Sequence, residues 1–135
     1  MASLNEVQKS FIKNPYYAVI TTLRADGSPH STVVWVDIDG DDLVFNTAVG
    51  RAKEVHLKAN PRVSVAVVDP ANPYQWVAIS GSAKLESDGA VEMIDRLSNK
   101  YQGKDYPREW MAPGEVRVTG RITPDKVDAY GFDAA

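Results

Sequence analysis

Strict alternation of apolar and polar residues marks most of this chain as strand. "RVSVAVVD" (62–69) is the cleanest case, with Val63, Val65 and Val67 on one face and polar or small residues between them. "YYAVITTLR" (16–24) is rich in aromatic and β-branched residues and predicts a first strand, and "ADGSP" turns the chain. "HSTVVWVDID" (30–39) predicts a second strand, "GDD" a turn and "LVFNT" (43–47) a third, so these three form a meander. "YQWVAISGSAKLES" (74–87) is a long fifth strand with Gly81 inside it, the signature of a bulge or bend. "EVRVTGRITPDKVDAYG" gives the sixth, with Val116, Val118, Gly120 and Ile122 sharing one parity.

Helical spacing appears in three places. Leu4, Val7, Phe11 and Ile12 share a face over 2–13, with Ser3 as the expected cap and Pro15 as the stop. A second helix is expected over 51–59, closed by Asn60-Pro61. A third is expected over 88–101, its apolar side made by Val91, Ile94, Leu97 and Tyr101. Six strands against three short helices predict a mainly β chain: one domain over 1–135, built as a six-stranded antiparallel barrel.

Composition narrows the function. A net charge of −3 argues against a general nucleic-acid binder. No apolar run is long enough for a membrane span, and the N-terminal segment lacks the apolar stretch of a signal peptide. The chain has no cysteine, which excludes disulfides and thiolate chemistry and fits a cytoplasmic location. The two histidines, His30 and His56, have no ligand spacing between them, so no metal site is expected and each reads as a surface or packing residue. No nucleophile elbow, GxGxxG or P-loop occurs, and no catalytic residue is identified.

One stretch breaks the ordinary rules. In "NTAVGRAKEVHLKANPRVSVAV" (46–67), Arg51 and Lys53 stand at the start of the second helix, where the helix dipole already leaves partial positive charge. Each cation costs about 0.3–1 kcal/mol there. A bound phosphate or carboxylate offsets that cost, because free N–H groups and charge-assisted hydrogen bonds converge on it. The alternative is that both side chains point into water, with Glu54 offsetting part of the repulsion. Ser31 and Thr47 add hydroxyls at strand positions. Trp35 and Trp76 are either core residues or walls for a planar ring.

"TTLRADGSPHSTVVWV", "GRAKEVHLKANPRVSVAVVDP", "WVAISGSAKL" and "RITPDKVDAYG" occur in that order over about residues 11–132. Together they resemble the split β-barrel flavin and deazaflavin oxidoreductases related to pyridoxamine 5′-phosphate oxidase, and more narrowly the actinobacterial branch that uses the deazaflavin coenzyme F420. The resemblance implies a homodimer with cofactor sites at its interface. It implies that the RAK element (Arg51, Ala52, Lys53) binds the cofactor phosphate, with Thr47 adding a hydroxyl bond. Ser31–Trp35 would run beneath the ring, with backbone contacts at Val33 and Val34, and the partner chain would supply Trp76, Val77 and Ala78. Lys58 and Arg62 are candidates for the glutamate tail of the deazaflavin. The activity implied is hydride transfer from reduced F420 to a conjugated small-molecule substrate. The alternatives are an FMN-dependent oxidase or reductase of the same fold, or a non-catalytic cofactor-binding protein.

Overall fold

A computed structural model describes residues 2–132. The expected domain of 1–135 therefore includes Met1 and 133–135, which lie outside the described residues. Helix α1 (Glu6–Ile12) leads into β1 (Ala18–Leu23), β2 (Pro29–Val34), β3 (Asp37–Asp39) and β4 (Asp42–Ala48). Helix α2 (Ala52–Ala59) follows, then β5 (Arg62–Asp69), β6 (Asn72–Glu86), helix α3 (Ala90–Gln102), one 3-10 turn at Arg108–Trp110 and β7 (Arg117–Tyr130). All pairings are antiparallel, in the order β2-β1-β5-β6-β7-β4-β3. The two edge strands of that order, β2 and β3, are separated in the chain only by Trp35 and Val36. The sheet thus curls until its edges meet at a seam, and the split-barrel class expected from the sequence is the one observed.

The strand count is seven rather than six, because the strand expected over 30–39 is two. The ladder with β1 stops at Val34 and the ladder with β4 starts at Asp37; Val36 and Ile38 pack in the core while Asp37 between them meets Arg96 and Lys100 of α3. The chain instead turns a corner. β2 pairs with β1, β3 pairs with β4, and the expected meander does not form.

The core fills the barrel with Ile20, Phe45, Val65, Val67, Val77, Ile79 and Ile122, closed at one end by Phe11 and Ile12 of α1. Asn5, not Ser3, caps α1. Its side chain accepts from the Gln8 N–H at 2.8 Å, and the Gln8 side chain accepts from the Asn5 N–H at 3.0 Å, a complete capping box. Val7 is exposed, since it lies about 90° round the helix from the midpoint of Phe11 and Ile12. Val91 of α3 is also exposed, while Ile94 and Leu97 pack inward.

β7 departs from its expected parity. Val116 is exposed, whereas Arg117, Val118, Thr119 and Gly120 are all buried. The reason is that α3 packs against the outside of β4 and β7 while the core fills the inside, so neither face of this stretch meets water. The irregularity expected at Gly81 is present: the β6–β7 register shifts between Ser80 and Gly81. A Cβ at Gly81 would lie 2.1 Å from the Thr123 carbonyl oxygen, so only glycine fits.

Candidate functional site

Gly50, at φ 91°, takes the chain out of β4 and into α2. Arg51 is the N-cap of α2 without making a side-chain cap, and Lys53 follows in the first turn. Glu54, in the same turn, accepts with its buried carboxylate from the N–H of Gly50, just ahead of the cap, at 2.9 Å. The two cations are therefore not the groups that satisfy the helix end.

Both line a cavity of about 310 Å³. One wall is Val33, Val34 and Trp35 from the end of β2, with Tyr17 beside them. The floor is Asn46 and Thr47 of β4, and the far side is Ile94 and Leu97 of α3 with Tyr106 and Arg117. Six of the thirteen site residues singled out from the sequence meet here: Val33, Val34, Trp35, Thr47, Arg51 and Lys53. Trp35 is a wall on one side only, since its other face stacks on Tyr101 at 5.5 Å and 10°.

The electrostatics of the cavity are uneven. Lys53 Nζ has one hydrogen bond, to Thr32 Oγ1 at 3.2 Å, although an ammonium carries three donors. Burial, and then the Arg51 charge, lower its pKa from the usual lysine value. Arg51 is half-exposed and leans on Glu115 at 3.1 Å. Arg117 is buried, and holds Glu115 at 3.0 Å and Asn46 Oδ1 at 2.9 Å with its guanidinium over the Tyr106 ring. Burial pushes the Glu115 carboxyl up, but the hydrogen bonds from Arg117 and the Ala112 N–H and the charges of Arg117 and Arg51 outweigh it, leaving its pKa lowered. Thr47 Oγ1 is fully buried at the cavity floor with no hydrogen-bond partner. A buried orphan hydroxyl costs about 1–3 kcal/mol. An under-bonded ammonium and an orphan hydroxyl facing one cavity fit an anionic oxygen acceptor.

The other seven candidates lie elsewhere. Ala52 is in the first turn of α2 but does not line the cavity. Ser31 bonds Thr21 at 2.8 Å on the outer face of the sheet. Trp76 and Ala78 share that outer face, with Trp76 stacked on Tyr130, while Val77 points into the core with no exposed surface. Lys58 is exposed and pairs with Glu54 at 3.7 Å. Arg62 borders a separate cavity of about 320 Å³, together with Thr21, Ser64, Ser80 and Lys126. Neither tail candidate lines the cavity of Arg51 and Lys53.

Asn46, Tyr106, Glu115 and Arg117 were not foreseen. The pairing of β4 with β7 brings Asn46 and Arg117 to the cavity, Tyr106 comes from the segment after α3, where its N–H donates to Asp95, and Glu115 is held beside them by Arg117. His30 and His56, which no sequence spacing joins, meet edge to face at 5.2 Å between ring centroids. Among the described residues no helix is long and apolar enough to cross a membrane.

Three comparisons bear on the whole arrangement. A solved structure described as an F420 reductase superposes with a TM-score of 0.79 at 28% identity, covering 93% of this chain and 98% of that one. The F420H(2)-dependent biliverdin reductase of Mycobacterium tuberculosis is 27% identical over 85 residues, 63% of this chain and 61% of that protein. The pyridoxine/pyridoxamine 5′-phosphate oxidase of Vibrio vulnificus is 24% identical over 122 residues, 89% of this chain and 54% of that protein. The chain thus spans little more than half the length of the curated relatives it matches. The family model described as pyridoxamine 5′-phosphate oxidase matches residues 4–130, and the chain belongs to that family.

Proposed function

We propose that this chain is an oxidoreductase that binds the deazaflavin coenzyme F420 and transfers hydride to a conjugated small-molecule acceptor. The observation that carries the reading is the cavity in which Lys53 has one hydroxyl acceptor for its three donors and Thr47 Oγ1 has no partner, beside the wall made by Val33, Val34 and Trp35. The F420-dependent names of two relatives at 27% and 28% identity support the choice of cofactor. The fit is chemical: two cations and a hydroxyl suit a phosphate, and the branched and aromatic wall suits a flat ring.

Lys53 and Arg51 hold the phosphate, and Thr47 adds a hydroxyl bond. Lys53 gives the stronger contact, since Arg51 is shared with Glu115 and half-exposed. Val33 and Val34 offer backbone groups to the ring, Trp35 fixes its edge, and Ile94 and Leu97 exclude water from one side. The bound cofactor supplies the hydride chemistry, so the protein needs no nucleophile of its own.

We propose further that the chain works as a homodimer of one-domain barrels. The outer face of β2, β1, β5 and β6 presents Val33, Val19, Ala66 and Ala78 in one cross-strand row, with Val68 and Trp76 in the next. Exposed apolar surface of that extent marks an interface. Through it Trp76 and Ala78 of one protomer would approach the cavity of the other, with Val77 contributing backbone only. The lack of cysteine supports a cytoplasmic home.

Fluorescence titration of the purified chain with coenzyme F420 and with FMN tests the reading. Tighter binding of F420, and oxidation of its reduced form by quinones, tetrapyrroles or enones, is the expected result. Tighter binding of FMN moves the chain to the flavin enzymes, and F420 binding without turnover by any acceptor moves it to cofactor storage.

A further inference from the structure

His30 and His56 are not used by the reading above, yet they sit directly behind its anion site. β2 turns His30 and Thr32 to the same face, two residues apart. α2 carries Lys53 and His56 on one face, three residues apart. The two elements meet twice: Lys53 reaches Thr32 at 3.2 Å, and His56 meets His30 at 5.2 Å between ring centroids. Thr22 of β1, directly opposite His30 in the register, fixes His56 through its Nδ1 at 2.8 Å. The Nδ1 of His30 is buried and has no hydrogen-bond partner.

The charges facing this pair are all positive. Arg24 approaches from the end of β1 and Lys53 from α2, with Arg51 beyond Lys53; Thr22 is neutral. No carboxylate forms an ion pair with either ring among the described residues. Burial, and then Arg24, His56 and Lys53 in turn, hold the His30 pKa below its ordinary value. An anion bound at Lys53 would offset that charge and oppose those of Arg24 and His56, favouring a proton where the empty site repels one.

We propose that the His30–His56 pair is the proton-accepting part of the anion site, so that a dianion held by Lys53 draws a proton from solvent onto the imidazoles. Charge balances as one dianion and one proton entering together. The inference rests on the anion reading of the α2 cavity, and its test separates the two.

The chain has only two histidines, so imidazole resonances of the untagged protein report this pair alone. The titration runs from about pH 5 to about pH 8.5, across the range where imidazoles change charge. It is done in chloride and in sulfate at equal ionic strength, sulfate being a dianion throughout. The expected result is that sulfate raises the pKa of at least one imidazole by about 0.5 or more. By linkage, sulfate then binds about threefold tighter at the acid end than at the alkaline end. Lys53→Met should abolish the sulfate effect and, by removing one of the positive charges, move the chloride titration of His30 upward. A His30→Asn/His56→Gln double variant should still bind sulfate but lose the histidine part of its pH dependence. Sulfate that perturbs the backbone amides of residues 50–53 while both imidazole curves stay where chloride leaves them overturns the proposal. If those amides do not respond to sulfate, the anion reading itself fails and this inference fails with it.

Discussion

Two lysines, each on a helix and each drawn into the protein, have opposite surroundings. Lys100, near the end of α3, donates to the Ile12 carbonyl at 2.7 Å and the Val36 carbonyl at 2.5 Å, and lies 3.7 Å from Asp37. It ties α1 and the seam residue Val36 together, and its neighbour Tyr101 completes the clasp by donating to the Tyr16 carbonyl and stacking on Trp35. Lys53, at the start of α2, has a single hydroxyl. An ammonium ringed by backbone acceptors holds structure together. One that is desolvated with two donors unused is held ready for a ligand. Burial alone does not separate these roles; the number of acceptors does.

The sharpest way to break the comparison is to replace each lysine by methionine. Lys100→Met strands the buried Ile12 carbonyl and leaves that of Val36 only the Tyr101 hydroxyl at 3.3 Å, and should destabilise the fold by about 2–4 kcal/mol in denaturant unfolding. Lys53→Met removes an under-compensated charge, and should leave stability unchanged or raise it by about 1 kcal/mol. The same variant should lose about 1.5–3 kcal/mol of cofactor binding, or roughly ten- to a hundredfold in affinity. Equal losses of stability in both variants would dissolve the distinction.

pH sharpens it. Burial lowers the Lys100 pKa to about 8 against the attraction of Asp37. Between about 8 and its ordinary 10.5, the unfolded chain carries a proton that the folded chain lacks. This group's contribution to stability therefore rises with pH across that window and is flat below it. Unfolding of the wild type and of Lys100→Met at about pH 7.5 and about pH 9.5 should show the wild type gaining relative to the variant. A gain toward acid would contradict the assignment.

Smaller effects follow at the rim. Arg51→Ala should weaken cofactor binding by only about 0.5–1 kcal/mol, because the guanidinium is half-exposed and already engaged by Glu115. Lys58→Ala should change binding by less than about 0.5 kcal/mol, since among the described residues its exposed ammonium pairs with Glu54 alone. Fluorescence titration of the two variants side by side ranks them.

What the sequence reveals depends on how local the cause is. β5 runs over 62–69 as its alternation predicts, because one face meets the core and the other is exposed. The seam at Trp35–Val36 is hidden, because a corner between two apolar half-strands reads like one strand until the pairing sets β2 against β1 and β3 against β4. The cation pair of α2 is legible because Arg51 and Lys53 offend a local rule that any helix start obeys. Arg117 and Asn46 offend none. Their bond at 2.9 Å exists only because β7 returns beside β4. His30 and His56 likewise carry no spacing signal, since each comes from a different element and only the packing of α2 on β1 and β2 joins them.

The strand order also sets how this chain must fold. The β1–β2, β3–β4 and β5–β6 pairs are hairpins, formed over short stretches of chain. β4 with β7 is not: Asn46 and Thr119, opposite one another in that ladder, are 73 residues apart. Ring closure over such a span loses chain entropy before any contact compensates for it. Domains dominated by such pairings fold in milliseconds to seconds, rather than microseconds. The floor of the cavity is the β4 side of that ladder, so the cavity is assembled by one of the most distant pairings among the described residues.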